Sequence, residues 1–182
     1  GVDVRDMTQK ELRDKLGYVP QKGVLFSGTI DSNIRYGKPE ITDAQVKEAA
    51  EVAQATEFID TKPEKYKSPV SQGGTNVSGG QKQRLSIARA IAKDPEIFIF
   101  DDSFSALDFK TDSQLRKALK EYTKDATTVI VAQRISTILG ADQIIVLDDG
   151  HMAGIGTHKE LMANCEVYQQ IARSQLSEEE LA

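Results

Sequence analysis

Residues 76–91 read NVSGGQKQRLSIARAI, and this stretch determines the fold and the chemistry expected of the chain. Ser78 and Gln81 form a capping box, which predicts a helix over residues 79–93. The two glycines after Ser78 let backbone N–H groups approach a ligand closely, and the positive end of the helix dipole favours a phosphate. On this pattern alone, a plain capped helix and a phosphate-contacting helix start both stay open.

A second stretch, residues 97–102, reads IFIFDD and predicts an apolar strand that runs into two carboxylates. Open α/β sheets bind their ligands at the carboxyl ends of the strands. The alternative is that Asp101 and Asp102 only cap the next element.

The rest of the chain alternates strands with helices. Strands are predicted at residues 16–19, 96–100, 127–131 and 143–147, and helices at 111–121 and 134–139. This alternation predicts an α/β fold with a parallel sheet. We expect three parts: an α/β part formed by residues 1–20 and 95–175, a mainly helical insert at 21–94 with a polar loop at 62–75, and an acidic tail at 176–182.

Composition excludes some classes of protein. The net charge of −5 argues against nucleic-acid binding, for which a basic surface is typical. The longest apolar runs are strand-sized, short of the ~20 residues that cross a bilayer. We therefore expect the chain itself to be soluble, with any membrane role supplied by a partner or another segment. The single Cys165 excludes an internal disulfide and favours a reducing compartment.

Taken together, these stretches resemble the signature motif and the Walker B strand of ABC-type ATPases, and the similarity spans residues 1–173. Further segments match the family in the expected order: YVPQ at 18–21 resembles the Q-loop, LFSGTI at 25–30 an exporter-specific segment, SALD at 105–108 the D-loop, and VIVAQRIST at 129–137 the switch segment. The chain is identified as a nucleotide-binding domain of a multidrug- or lipid-exporter-like ABC transporter.

The resemblance implies the fold of a P-loop NTPase, with ATP and Mg²⁺ as cofactors. It implies that Asp101 holds the metal through water and that Gln21 reaches both the metal and the attacking water. It also implies catalytic roles for Asp102, Gln133 and Gln21. The residues implied to contact the nucleotide are Ser78, Gly79, Gly80, Gln81 and Asp108. The implied partners are a transmembrane domain, N-terminal in the same protein, and a second nucleotide-binding domain, at the cytoplasmic face of a membrane.

The chain contains no Gly-x-x-x-x-Gly-Lys-[Ser/Thr] loop to cradle the phosphates. We therefore expect a partial domain with an incomplete sheet, in which ATP hydrolysis belongs to the family and the isolated chain is inactive or nearly so. Strands that lack neighbours expose edges, so marginal stability or association is also expected.

Two positions depart from the family's pattern. Asp102 stands where the family usually has a glutamate. Its side chain is one methylene shorter, which increases the distance between the carboxylate and the water that it would orient or deprotonate. Gln133 stands where a histidine is usual and cannot become cationic. With both changes, the chain resembles the subunit of a heterodimeric exporter that carries the degenerate site. In that case Ser78, Gly79 and Gly80 of this chain would complete a competent site on a hetero-partner.

Two alternatives differ in class. The chain could be a non-catalytic, truncated interaction fragment. It could also be a soluble ABC ATPase of DNA repair or translation, but the exporter-like segment at 25–30 and the net acidity disfavour that reading.

Overall fold

The computed structural model describes residues 1–177. The chain forms two compact units, Gly1–Val131 and Ala132–Ala182, each described by itself below. Of the predicted acidic tail, residues 178–182 lie outside the described residues. The predicted division into an α/β part and a helical insert follows different boundaries and stays a prediction.

The elements of the first unit follow one another in this order: α1 (Gln9–Lys15), β1 (Leu16–Val19), β2 (Gly28–Thr29), α2 (Ile30–Ile34), α3 (Asp43–Val52), α4 (Thr56–Asp60), β3 (Pro69–Val70), α5 (Gly79–Ala92), β4 (Ile97–Asp101), α6 (Phe109–Tyr122) and β5 (Thr127–Val131). The polar loop predicted at 62–75 contains β3, which pairs antiparallel with β2. A two-residue strand has too few residues to show a period, so the sequence pattern missed it.

The central sheet of this unit has the order β1-β4-β5, with both pairings parallel. Phe100 faces Val19 on one side and Ile130 on the other. Phe98 and Phe100 are both 1% exposed and, two residues apart, lie on the same face of β4. The predicted parallel α/β fold is therefore confirmed for these strands.

Helix α5 lies at the centre of the first unit. It starts at the predicted capping box of Ser78 and Gln81 and is 14 residues long. Several of its apolar side chains are buried, and they pack in one core with side chains from α2, α3, α4 and the sheet: Leu85, Ile87, Ile91, Ile34, Ala50, Ile59 and Phe98. The helix that carries the Ser-Gly-Gly-Gln stretch is thus also the main packing element of its unit.

The second unit contains α7 (Ile135–Ile138), β6 (Ile144–Asp148), β7 (His151–Gly156), α8 (His158–Asn164) and α9 (Glu166–Gln175). The apolar run predicted at 143–147 forms β6, which pairs antiparallel with β7. The physical reason is the two-residue turn between them. Asp149 and Gly150 both have positive φ, 46° and 78°, as a tight hairpin turn requires.

Candidate functional site

The first cluster of predicted site residues lies where β1 and β4 end side by side. The Gln21 amide nitrogen Nε2 donates to Asp102 Oδ2 at 3.0 Å. The Tyr18 hydroxyl donates to Asp101 Oδ2 at 3.1 Å. The structure therefore brings Gln21, Asp101 and Asp102 together and adds Tyr18. The metal and catalytic roles of these residues stay predictions.

Sequence reasoning missed the role of Tyr18, although the register of the sheet accounts for it. Tyr18 faces Ile99 across the parallel pair, and Asp101 is two residues beyond Ile99. Side chains two residues apart on a strand share a face, so Tyr18 and Asp101 meet diagonally. Only the pairing register, which the sequence pattern did not provide, places them in contact.

The backbone at Asp102 adopts a left-handed conformation with φ of 44°. Its N–H donates to the Val131 carbonyl at 2.9 Å, and the next residue, Ser103, donates its hydroxyl to the Val19 carbonyl at 2.8 Å. The turn after β4 is therefore tied to both neighbouring strands. Aspartate is several-fold enriched in this backbone region among non-glycine residues, so Asp102 suits the turn.

The Tyr18 phenol is a neutral hydrogen-bond donor. Partial desolvation, followed by the hydrogen bond to Asp101 and its negative charge, raises the pKa of Tyr18 above its ordinary value. Because that ordinary value is already about 10, the hydroxyl keeps its proton at neutral pH. Asp101 thus accepts a hydrogen bond from a neutral phenol through Oδ2.

The donor set fits a magnesium ion in a limited way. Asp101 and Asp102 offer carboxylate oxygens and Gln21 an amide oxygen, which are the hard ligands Mg²⁺ prefers. Across residues 1–177 no three His, Cys, Asp or Glu side chains form a metal cluster. A Mg²⁺ here would take most of its coordination from water and phosphate oxygens, as it does in nucleotide enzymes.

The second cluster is the start of α5. Ser78 Oγ accepts from the Gln81 N–H, and Gln81 Oε1 accepts from the Ser78 N–H, both at 3.2 Å. A Cβ added to Gly79 would meet no atom within 4 Å. The first N–H groups of a helix lack intrahelical partners, so this end of α5 presents backbone donors to an open surface.

The segment at 105–108 lies beside this helix start. A Cβ added to Gly80 would lie 3.5 Å from the Ala106 carbonyl oxygen. Asp108 caps α6 by accepting from the Thr111 N–H at 3.0 Å. That backbone N–H, then the Thr111 hydroxyl and the positive charge of Arg84, lower the pKa of Asp108. Its role in nucleotide binding stays a prediction, and its observed contact is a helix cap.

Arg89 is a structural residue that the sequence pattern did not single out. Its guanidinium donates to the Asn33 carbonyl, the Asn33 side-chain oxygen and the Val24 carbonyl at 2.8, 2.9 and 2.9 Å. It also lies over the stacked rings of Phe26 and Tyr36. Burial lowers the pKa of Arg89 from a value so high that it stays charged. It fastens the exporter-like segment to α5.

Gln133 belongs to the second unit, where its side chain is exposed. Its backbone carbonyl accepts from Gln175 Nε2 at 2.9 Å, and Gln175 Oε1 accepts from the Ile135 N–H. These bonds tie the start of α7 to α9. The predicted catalytic role of Gln133 stays a prediction.

A parallel sheet with carboxylates at its strand ends and a capped Gly-Gly helix start defines an α/β nucleotide-handling domain of the P-loop NTPase class. Comparison with known proteins makes this more specific. The family model described as ABC transporter matches residues 1–105. The chain belongs to the ABC transporter family.

Individual relatives agree. An ABC transporter ATP-binding protein of Mycobacterium bovis is 46% identical over 178 residues, which cover 96% of this chain and 30% of the relative. A Staphylococcus aureus protein described as a multidrug export ATP-binding/permease protein is 44% identical over 171 residues, covering 94% of this chain and 30% of the relative. The chain thus spans about 30% of the length of the curated relatives it matches.

A solved structure, a bacterial Atm1-family ABC exporter with ATP bound, superposes with a TM-score of 0.93 at 39% identity. The match covers 98% of this chain and 31% of that chain. In the part of the chain that the structure describes, no helix is long and apolar enough to cross a membrane.

Proposed function

We propose that this chain is part of a nucleotide-binding domain that powers an ABC exporter by binding and hydrolysing Mg-ATP. The observation that carries the proposal is the meeting of Gln21, Asp101 and Asp102 at the carboxyl ends of β1 and β4. Open α/β sheets bind ligands at this edge. The partners are a transmembrane domain in the same protein and a second nucleotide-binding domain, at the cytoplasmic face of a membrane.

Each residue of this cluster has a distinct task in the proposal. Asp101 would hold a bound Mg²⁺, with Tyr18 orienting its carboxylate. Asp102 would orient the attacking water, and the Gln21 amide would assist both. When bound, Mg²⁺ neutralises charge that develops on the phosphates. The capping box uses the N–H groups of Ser78 and Gln81. A nucleotide held mainly by the partner subunit would therefore meet the N–H groups of Gly79 and Gly80 and the side chains of Ser78 and Gln81, with Asp108 nearby.

The proposal includes unequal sites. Asp102 has a shorter reach than glutamate, and Gln133 cannot carry positive charge, so the site they serve is slow. The start of α5 is capped and open, which supports a competent site completed on a hetero-partner. The missing phosphate loop in this chain fits the expectation that the isolated chain hydrolyses little ATP.

The test uses the complete exporter that the proposal implies, purified with its partner subunit. Gly80→Asp in this chain places a carboxylate at the phosphate-facing end of α5, and hydrolysis should fall to background. Gly140→Asp is the control for the added charge, because a Cβ on Gly140 would meet no atom within 4 Å and Gly140 is not one of the proposed site residues. Asp102→Asn should leave most of the activity in place, because the competent site is the one that Gly80 completes.

The outcomes separate the parts of the proposal. If Gly80→Asp hydrolyses ATP at the wild-type rate, the signature role is wrong. If Asp102→Asn abolishes hydrolysis as fully as Gly80→Asp, the two sites are not unequal. If the wild-type complex shows no ATP hydrolysis above a protein-free blank, the proposed function fails.

A second candidate is an interaction fragment, and the edge of the sheet favours it. Strand β5 is an outer strand of its sheet, and its Val129 and Val131 side chains are 46% and 52% exposed. Exposed apolar edge strands tend to pair with other chains. Light scattering of the isolated chain distinguishes the two candidate functions. A defined oligomer that dissociates in the Val131→Lys variant supports an interaction role, and a monomer contradicts it.

A further inference from the structure

Helix α5 contacts the Q-loop segment through one buried side chain. Gln83 is 1% exposed. Its Nε2 donates to the Pro20 carbonyl at 3.0 Å, and its Oε1 accepts from the Gly23 N–H at 2.8 Å. These two backbone groups flank Gln21, so both polar atoms of the Gln83 amide are hydrogen-bonded to the loop that carries Gln21.

The other side of the same loop is held at the carboxylates. Gln21 donates to Asp102 at 3.0 Å, and Ser103 donates to the Val19 carbonyl just before Pro20. Gln21 is itself exposed, so its own packing does not determine where its side chain points. Its position depends on how firmly the backbone on either side is held.

Packing gives an independent indication that the loop rests on α5. A Cβ added to Gly23 would lie 2.7 Å from Ser86 Oγ and 3.0 Å from both Gln83 Oε1 and the Lys82 carbonyl oxygen. Real Cβ atoms essentially never come within 3.0 Å of such atoms. Glycine at this position therefore permits the approach that brings the Gly23 N–H to Gln83.

We propose that Gln83 is a positioning residue that holds Gln21 against Asp102, and thereby links the signature helix to the carboxylates that bind Mg²⁺. A primary amide is required because it must donate to Pro20 and accept from Gly23 at once. The proposal rests on the proposed function and adds to it a physical connection between α5 and the metal. Mutation of a residue that hydrogen-bonds to a metal's ligands and orients them typically changes metal affinity about 10–100-fold.

The test measures Mn²⁺, a paramagnetic substitute for Mg²⁺, in the complete exporter with saturating ATP at a temperature that stops turnover. Electron paramagnetic resonance of free Mn²⁺ gives the affinity. Gln83→Met keeps the side-chain length and removes both hydrogen bonds, and it should weaken Mn²⁺ binding about tenfold. Ile87→Val on the same helix is the control for a loosened core, and it should leave the affinity unchanged.

Gly23→Ala provides a second variant in which Gln83 itself is untouched. The added methyl group pushes the loop away from α5, and the same loss of Mn²⁺ affinity is expected. If Gln83→Met does not fold, Gly23→Ala decides the question. Wild-type Mn²⁺ affinity in a folded Gln83→Met or Gly23→Ala variant overturns the proposal.

Hydrogen exchange of the chain itself, without any nucleotide, tests whether Gln83 holds the loop of residues 20–23. The Gly23 N–H should exchange at least about tenfold faster in Gln83→Met than in wild type, while amides of β4 keep their rates. If the Gly23 N–H exchanges at the same rate in both proteins, Gln83 does not hold the loop. Absence of ATP-dependent Mn²⁺ binding in the wild-type exporter would instead overturn the proposed function, and the exchange result would still decide whether Gln83 holds the loop.

Discussion

Gln21 and Asp102 lie on neighbouring parallel strand ends, and their side chains meet at 3.0 Å. The amide nitrogen donates to the carboxylate, so the amide oxygen of Gln21 takes no part in this hydrogen bond. The contact shows that the shorter Asp102 carboxylate still reaches the Q-loop. Under the proposed function, the shorter side chain reduces the reach of the carboxylate toward the attacking water.

Restoring the usual pair of residues should therefore speed the slow site. Asp102→Glu with Gln133→His in the complete exporter, with the partner's own catalytic carboxylate removed, should raise ATP hydrolysis by about 10²-fold, the lower range that a positioned base contributes. Phosphate release under single-site conditions is the measurement. Each single substitution is the control. An unchanged rate in the double variant contradicts the degenerate-site proposal.

The same substitution should cost stability, for a separate reason. Residue 102 has φ of 44°, and glutamate accepts this left-handed backbone less readily than aspartate. Asp102→Glu should lower the free energy of unfolding by about 1 kcal/mol. Urea unfolding followed by circular dichroism measures it.

Asp149 is the matched control, because it has φ of 46° in the β6–β7 turn. Asp149→Glu should lower the free energy of unfolding of its own unit by a similar amount. If Asp149→Glu is costly and Asp102→Glu is not, the backbone conformation at residue 102 is not what limits the choice of side chain there.

Gly17 should tolerate no side chain. A Cβ there would lie 2.6 Å from Pro95 Cγ and 3.3 Å from both the Ala90 carbonyl oxygen and Phe98 Cδ1. Gly17→Ala overpacks the contact between β1 and α5, and should lower the free energy of unfolding by about 1–3 kcal/mol. Gly140→Ala, at a position with no atom within 4 Å, should change it little. Equal unfolding midpoints for the two variants would contradict this packing.

The cap of α6 should contribute to stability in a pH-dependent way. The folded state lowers the pKa of Asp108, so its charge stabilises the fold above the unfolded-state value of about 3.9 and loses this effect as pH falls through the folded-state pKa. Asparagine can also cap the helix but has no charge to titrate. The difference in unfolding free energy between wild type and Asp108→Asn should be constant from about pH 5 to 7 and shrink below about pH 4. A difference that does not change over this range would contradict the assignment.

Short-range signals in the sequence determined much of the fold. The Ser78 and Gln81 capping box predicted where α5 begins, because a cap depends on residues only three apart. The run of apolar residues at 97–100 predicted β4, and the alternation of strands and helices predicted the parallel pairing of β1, β4 and β5. The apolar strand that ends in Asp101 and Asp102 indicated a ligand site at this edge of the sheet, whereas Gln21 was nominated only by the resemblance of residues 18–21 to the Q-loop.

Other features were decided only by the tertiary structure, because they depend on register and on contacts between distant parts of the chain. Tyr18 meets Asp101 only through the pairing of Gly17 with Phe98 and Tyr18 with Ile99. Gln83 grips a loop about 60 residues earlier in the chain, a separation over which no local period carries information. Patterns of nearby residues thus predicted the elements and the reactive groups, whereas the way those groups hold one another required the packed chain.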